Sequence, residues 1–216
     1  DSSVKVLYLS QPDSGLRREV WFSEDASNQK RVEEYKKYLT KLHENNGLSP
    51  EEAGATAARV TDMMKELASS SLKIEEVYDA EKTYNVCTAG EAANLYSGAL
   101  PFSLLNSIFG IQEGEKTVVS QPDACRKLGS YLKEENLPLL KEYVKTCLYS
   151  DLSMMTDTAS LAAAQEYQTA AGGIEKKKDF ERTVSETVQE KLGFQCGRVF
   201  CETYFNEDAK QDVACL

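Results

Sequence analysis

Asp179–Lys210 reads DFERTVSETVQEKLGFQCGRVFCETYFNEDAK, and its apolar positions decide the fold class. Phe180, Val184, Val188 and Leu192 recur every four residues, and Val199 and Phe200 extend the same face. That spacing predicts one long amphipathic helix. Gly193 and Gly197 lie one turn apart on it. A glycine costs ~1 kcal/mol against alanine in a helix interior, so the pair predicts that another backbone packs closely there. Asn206 reads as the N-cap of a further helix. Nothing in the stretch has the make-up of a catalytic group.

Upstream, the same helical grammar repeats. Gly172-Gly173 terminates an alanine-rich helix over Met155–Ala171. Val32, Tyr35, Tyr38, Leu39 and Leu42 keep helical spacing between Ser27 and Asn46, and Asn45-Asn46-Gly47 stops that run. Ser49-Pro50-Glu51-Glu52 then opens a second helix with a capping box and proline at the first helical position, continuing to Ser69–Ser71. The two form an antiparallel pair. Thr88-Ala89-Gly90-Glu91, Pro101, Pro122 and Pro138 start further helices, whereas Asp79–Asn85 reads as irregular. Val4–Leu9 is a strand ahead of the turn Gln11–Gly15, Val20–Phe22 a second short extended piece, and Lys116–Ser120 a third. The fold class is therefore mainly α: a multi-helix domain with one or two short β segments near the N-terminus and another around 116–120. With no convincing linker, residues 1–216 are expected to form a single helical lobe, with 1–24 as a strand-and-loop lead-in and 25–216 as its body.

Charge excludes several function classes. Twenty-five basic against 35 acidic residues leave a net charge of −10, which disfavours nucleic acid and anionic membranes as partners. The one basic run, Lys176-Lys177-Lys178, is bracketed by Glu175 and Asp179 and reads as a solvated helix entry. No apolar run approaches the ~20 residues that span a bilayer. Six cysteines show no C-x-x-C spacing, and there is no N-x-[ST] sequon. Unpaired thiols in the cytoplasm are the favoured reading, while the even count leaves disulfides and an extracytoplasmic chain open. The start at Asp1 and the stop at Leu216, inside a helical pattern, lead us to expect a piece of a longer protein.

The histidine count settles most of the chemistry. His43 is the only histidine, and the position one turn on, where a zincin needs its second ligand, is Gly47. His43 reads as an ordinary helix-end residue whose partial charge suits the C-terminal dipole. Pairs such as Glu33-Glu34 and Glu134-Glu135 read as solvated faces. No phosphate-binding, dinucleotide-binding or nucleophile-elbow motif occurs.

Several segments nevertheless line up, in order, with one family. KVLYLSQPDSGL at 5–16 is similar to a "lyLsQpgLGLpdrdYY" stretch, although Arg17, Arg18 and Glu19 depart from its acidic-aromatic half. GLSPEEA at 47–53 is similar to "aGls.eeA", and Tyr84-Asn85 to a "YN" step into a short helix. Ser120-Gln121-Pro122-Asp123 is similar to "vsqPdy", and 137–152 to a "wkaYLr" helix. The terminal R-W-K-R, L-G-x-x-x-G-x-x-Y, Y-F and A-K pattern reads here as Arg182, Leu192-Gly193, Gly197, Phe200, Tyr204-Phe205 and Ala209-Lys210, with Phe180 for the tryptophan and Glu181 for the lysine. These residues resemble the N-terminal, non-catalytic region of the neprilysin-type zinc metallopeptidases, family M13.

The resemblance implies a helical lobe that covers the active-site chamber and admits only small peptides. It implies zinc in the parent protein and none held by this chain. The H-E-x-x-H helix, the later glutamate ligand and the substrate-gripping N-A-Y segment all lie beyond the matched region. No catalytic or metal residue therefore carries over, and the marked residues are Tyr84, Asn85, Pro122, Arg182, Gly193, Gly197, Tyr204, Phe205 and Lys210. The implied partners are the catalytic lobe of the same polypeptide and the parent's peptide substrates. The chain alone is expected to be inactive. Two other classes stay open: a free-standing helical adaptor that binds a protein partner, and an enzyme with an unrecognised carboxylate site.

Overall fold

The computed structural model describes residues 5–172, 179–205 and Gln211. They belong to two units, Asp1–Gly173 and Ile174–Leu216, each described by itself.

In the first unit β1 (Leu7–Leu9) leads through the Gln11–Gly15 turn into a single helical turn, α1 (Arg18–Trp21). The extended reading of Val20–Phe22 is thus overturned. Val20 and Trp21 are buried, and the Trp21 indole donates to the Ser14 carbonyl at 2.9 Å, so side-chain burial outweighs the β preference of V-W-F. α2 (Ala26–Asn45) is capped by Asp25, whose side chain accepts from Ser27 and Asn28. α3 (Pro50–Ser69) carries the expected capping box, with both Ser49–Glu52 bonds formed. Ile74–Val77 forms a one-turn helix, α4, and within Asp79–Asn85, expected to be irregular, Ala80–Thr83 forms another, α5, capped by Asp79. There follow β2 (Asn85–Thr88), α6 (Ala89–Asn94), α7 (Phe102–Phe109), β3 (Lys116–Val119), α8 (Pro122–Tyr131), α9 (Leu137–Leu152) and α10 (Thr158–Gly172). β2 went unread because N-V-C-T is too short to show a period.

The strands form one sheet in the order β1-β3-β2, with β1 parallel and β2 antiparallel to β3. Tyr8 and Val86 both pair with Val118 in the central strand. Ala92, Tyr96 and Cys125 pack against Val119 of the sheet, with Leu9 and Cys87 of its other strands beside them. The larger core joins α1, α2, α3, α9 and α10 through Trp21, Tyr35, Leu39, Leu42, Val60, Met64, Leu67, Tyr143 and Ala164. Tyr38 stacks on Tyr167 with centroids 5.1 Å apart, seating α10 on α2. The chain is mainly α with a small sheet, as its residue pattern predicts.

The second unit corrects the long helix. It breaks at Leu192 (φ −117°, ψ 31°) into α11 (Phe180–Lys191) and α12 (Gly193–Tyr204). Leu192 N–H still bonds Val188 O, and Cys196 N–H bonds Leu192 O, so the break spares the flanking ladders. A break beside Gly193 relieves part of the cost of two glycines in one helix. The close backbone neighbour is absent as well: a Cβ placed on Gly193 or Gly197 meets nothing within 4 Å among the described residues. The Asn206 cap and the Lys176–Lys178 helix entry lie outside the described residues.

Candidate functional site

Three of the marked residues sit around the sheet. Tyr84, at the end of α5, takes a hydrogen bond on its hydroxyl from Lys116 Nζ at 2.8 Å, and the same ammonium lies 5.3 Å from the ring centre. Asn85 Nδ2 donates to Lys82 O (2.8 Å) and Val119 O (3.0 Å), fixing the start of β2 against the end of β3. Pro122 is the first residue of α8. Beside it Gln121 is buried; its Oε1 accepts from Leu72 N–H (2.8 Å) and its Nε2 donates to Gln11 Oε1 (2.9 Å). These residues tie loops together, and none is poised for chemistry.

The Gln121 amide also forms part of a cleft of about 540 Å³ between the Gln11–Glu19 segment and Ser71–Tyr78. Arg18 donates from Nη1 to Ser69 O (2.6 Å) and Ser71 O (2.7 Å), satisfying carbonyls at the end of α3. Glu19 accepts from Ile74 N–H at 2.8 Å. The Arg17-Arg18-Glu19 departure from the family pattern therefore has a structural use at two of its three positions.

Sequence reading placed His43 at a helix end with a favourable partial charge. It does lie in the last turn of α2, but its side chain is only 3% exposed. Burial holds its pKa below the ordinary value, so the neutral imidazole is the resident form and the dipole argument does not apply. It lines a cavity of about 380 Å³ with Asn46, Glu52, Arg59, Glu142, Lys145 and Tyr149. Thr146, its hydrogen-bond partner, is 103 residues away, and no local signal could have found the pair.

In the second unit Arg182 bonds Glu186 through Nε at 2.9 Å, while its backbone N–H is capped by Asp179. Gly193 and Gly197, with Phe194, Gln195, Arg198 and Cys201, line an open groove on α12. Tyr204 ends that helix with its ring 5.2 Å from Phe200, and Phe205 is the C-cap. Lys210 and Ala209 lie outside the described residues.

Nucleophilic cysteine chemistry has no support at Cys87, Cys125 or Cys147. Burial raises Cys87 and Cys125 and pushes Cys147 up to about 11, so their thiolates are scarce at neutral pH. Among the described residues five cysteines are free. No group of three His, Cys, Asp or Glu among them could hold a metal, and the one imidazole is already bonded to Thr146. These residues do not fit a zinc centre.

The fold and these sites define a helical framework whose polar clusters serve packing. The sequence profile of peptidase family M13, in its N-terminal part, matches residues 1–216, and the chain belongs to that family. It is 23% identical over 223 residues to Neprilysin-1 of Trittame loki, covering 98% of this chain and 31% of that protein. Its fold is similar to that of the zinc metalloprotease Zmp1 of Mycobacterium tuberculosis in the open state, with a TM-score of 0.82 and 20% identity over 97% of this chain and 33% of the other. PepO of Lactobacillus rhamnosis is similar with a TM-score of 0.79 and 17% identity, covering 100% of this chain and 34% of the other. The chain spans about a third of the length of these relatives.

Proposed function

We propose that this chain is the helical lid of a neprilysin-like zinc metalloendopeptidase. In this reading residues 1–216 act as one lobe that encloses the chamber in which peptides are cut and turns away substrates too large to enter. The zinc and its ligands belong to the catalytic lobe of the same polypeptide, which is the lid's partner. The observation that carries the reading is the end-to-end match to family M13 by a chain a third as long as its relatives. Steric exclusion needs rigid walls more than reactive groups. The fully buried Leu39, Val60 and Leu67 supply such rigidity in the first unit.

The test uses the parent polypeptide, read in frame from the same gene and assayed on peptides of graded length. Cleavage should fall sharply above a length threshold. Leu39→Ala, which removes ~2–5 kcal/mol of core packing, should blur that threshold before it lowers turnover of the shortest peptides. A frame without an H-E-x-x-H helix, or a length profile unmoved by loosening the lobe, overturns the reading in favour of an adaptor. The 216-residue chain alone should not hydrolyse peptides with or without added zinc. Turnover by it would place the active site here.

A further inference from the structure

The His43 cavity lies where α2, α3 and α9 meet. Thr146 Oγ1 donates to the Glu142 carbonyl at 2.8 Å, which uses its only proton. In the 2.8 Å contact between that oxygen and His43 Nε2, the imidazole must therefore be the donor. Neutral His43 is then the Nε2–H tautomer, and Nδ1 keeps a free lone pair. Nδ1 has no partner among the described residues and is not one of their buried orphan atoms, so it opens on the cavity. The Tyr149 ring meets the imidazole edge-on at 5.5 Å.

A proton arriving at Nδ1 finds no acceptor waiting. From α9, the Glu142 carboxylate is already taken by Arg59 of α3, through Nε (3.0 Å) and Nη2 (2.6 Å). From α3, Glu52 is held by the Ser49 N–H (3.2 Å) and hydroxyl (2.7 Å). Lys145 of α9 and the paired Arg59 also line these walls. Asn46 already spends its amide nitrogen on Leu42 O at 2.8 Å. A buried imidazolium here would lose hydration and meet Lys145, and the Glu142 carboxylate, shared with Arg59, offsets only part of that.

We infer that the His43 seat is an acid-sensitive junction between α2 and α9: the ring packs there neutral, and although its Nε2–H bond to Thr146 survives protonation, a proton entering through the cavity puts a poorly hydrated charge in the junction and loosens it. Burial and Lys145, partly offset by Glu142, act in the same direction on the ring. The sign follows from linkage. Above the unfolded-state value near 6.5 both states are neutral and the junction is at full strength. As pH falls below it the unfolded chain takes up a proton that the folded chain resists, so stability is lost until the lower folded-state value is reached.

The chain's single histidine makes the test direct. Ring-nitrogen NMR of the uniformly ¹⁵N-labelled 216-residue chain between pH 8 and 4.5 should show the Nε2–H tautomer at pH 8 and a titration midpoint below 6.5. Amide exchange, corrected for its intrinsic pH dependence, should accelerate in the last turn of α2 and around Thr146 in α9 over the same range. The limit is about tenfold per pH unit of that window. The β1–β3–β2 sheet should not follow. His43→Gln should abolish this pH dependence, and Thr146→Val should weaken the junction already at pH 8. An Nδ1–H tautomer, a midpoint at or above 6.5, or exchange that ignores the titration would overturn the inference.

Discussion

Thr117 is fully buried in the central strand, and its Oγ1 is the one buried side-chain polar atom without a partner among the described residues. An unpaired buried hydroxyl costs ~1–3 kcal/mol, and an apolar group of the same shape removes the cost. Thr117→Val should therefore hold or raise stability, by up to about 1–3 kcal/mol, read as the shift in urea midpoint at unchanged m-value. A fall of the same size would mean that the hydroxyl has an ordered water. Legibility at this scale was uneven. The Ser49–Glu52 and Thr88–Glu91 capping boxes could be read letter by letter because both partners lie within one turn. His43 could not, because its burial and its Thr146 bond depend on α9 arriving from far along the chain.

At the scale of elements, two pairs of glycines make opposite predictions. Gly129 of α8 lies against the backbone of Tyr96, where an added Cβ would sit 2.6 Å from the Cα and the carbonyl carbon. Gly129→Ala should cost about 1–3 kcal/mol, and hydrogen exchange should place the loss around α8 and the Ala92–Cys125 cluster. Gly15, at φ +67° and with the Tyr35 ring and hydroxyl where an added Cβ would go, forbids a side chain for both steric and conformational reasons. Gly193 and Gly197 are the reverse case. With open space around them, Gly193→Ala and Gly197→Ala should each strengthen α12 by up to about 1 kcal/mol in this chain, seen as raised helicity on warming. If either substitution cripples the proposed parent peptidase while stabilising this chain, the proposed catalytic-lobe partner closes on that groove. The sequence pattern found this face through its period. It could not tell an occupied groove from an open one, since small residues look alike in both.

For the whole molecule, helix ends and charge shape the response to acid. Asp25, Glu52, Glu91 and Asp157 are held below the usual carboxylate range by hydrogen bonds from helix-start hydroxyl and N–H groups. Depressed carboxylates stabilise the fold above their unfolded values near 4 and lose that contribution as pH falls through the lower folded ones. Circular dichroism followed against denaturant and pH should show a plateau above about 6.5 and two acid losses. The first belongs to His43 and the second to the capping carboxylates. His43→Gln should delete the first alone, and a single loss in the native chain would contradict the assignment.

The sequence by itself determined the helical class, most helix starts and the family to which the chain belongs, because caps, prolines and apolar periods act within one or two turns. Its single histidine also means that this chain has no paired histidines of the zincin kind. Only the tertiary structure decided that Val20–Phe22 coils, that Asn85–Thr88 pairs with β3, that the last helix breaks at Leu192 and that His43 is buried and neutral. Each of those outcomes depends on burial or on partners distant in sequence, and the free energy of such contacts is not written in any local stretch.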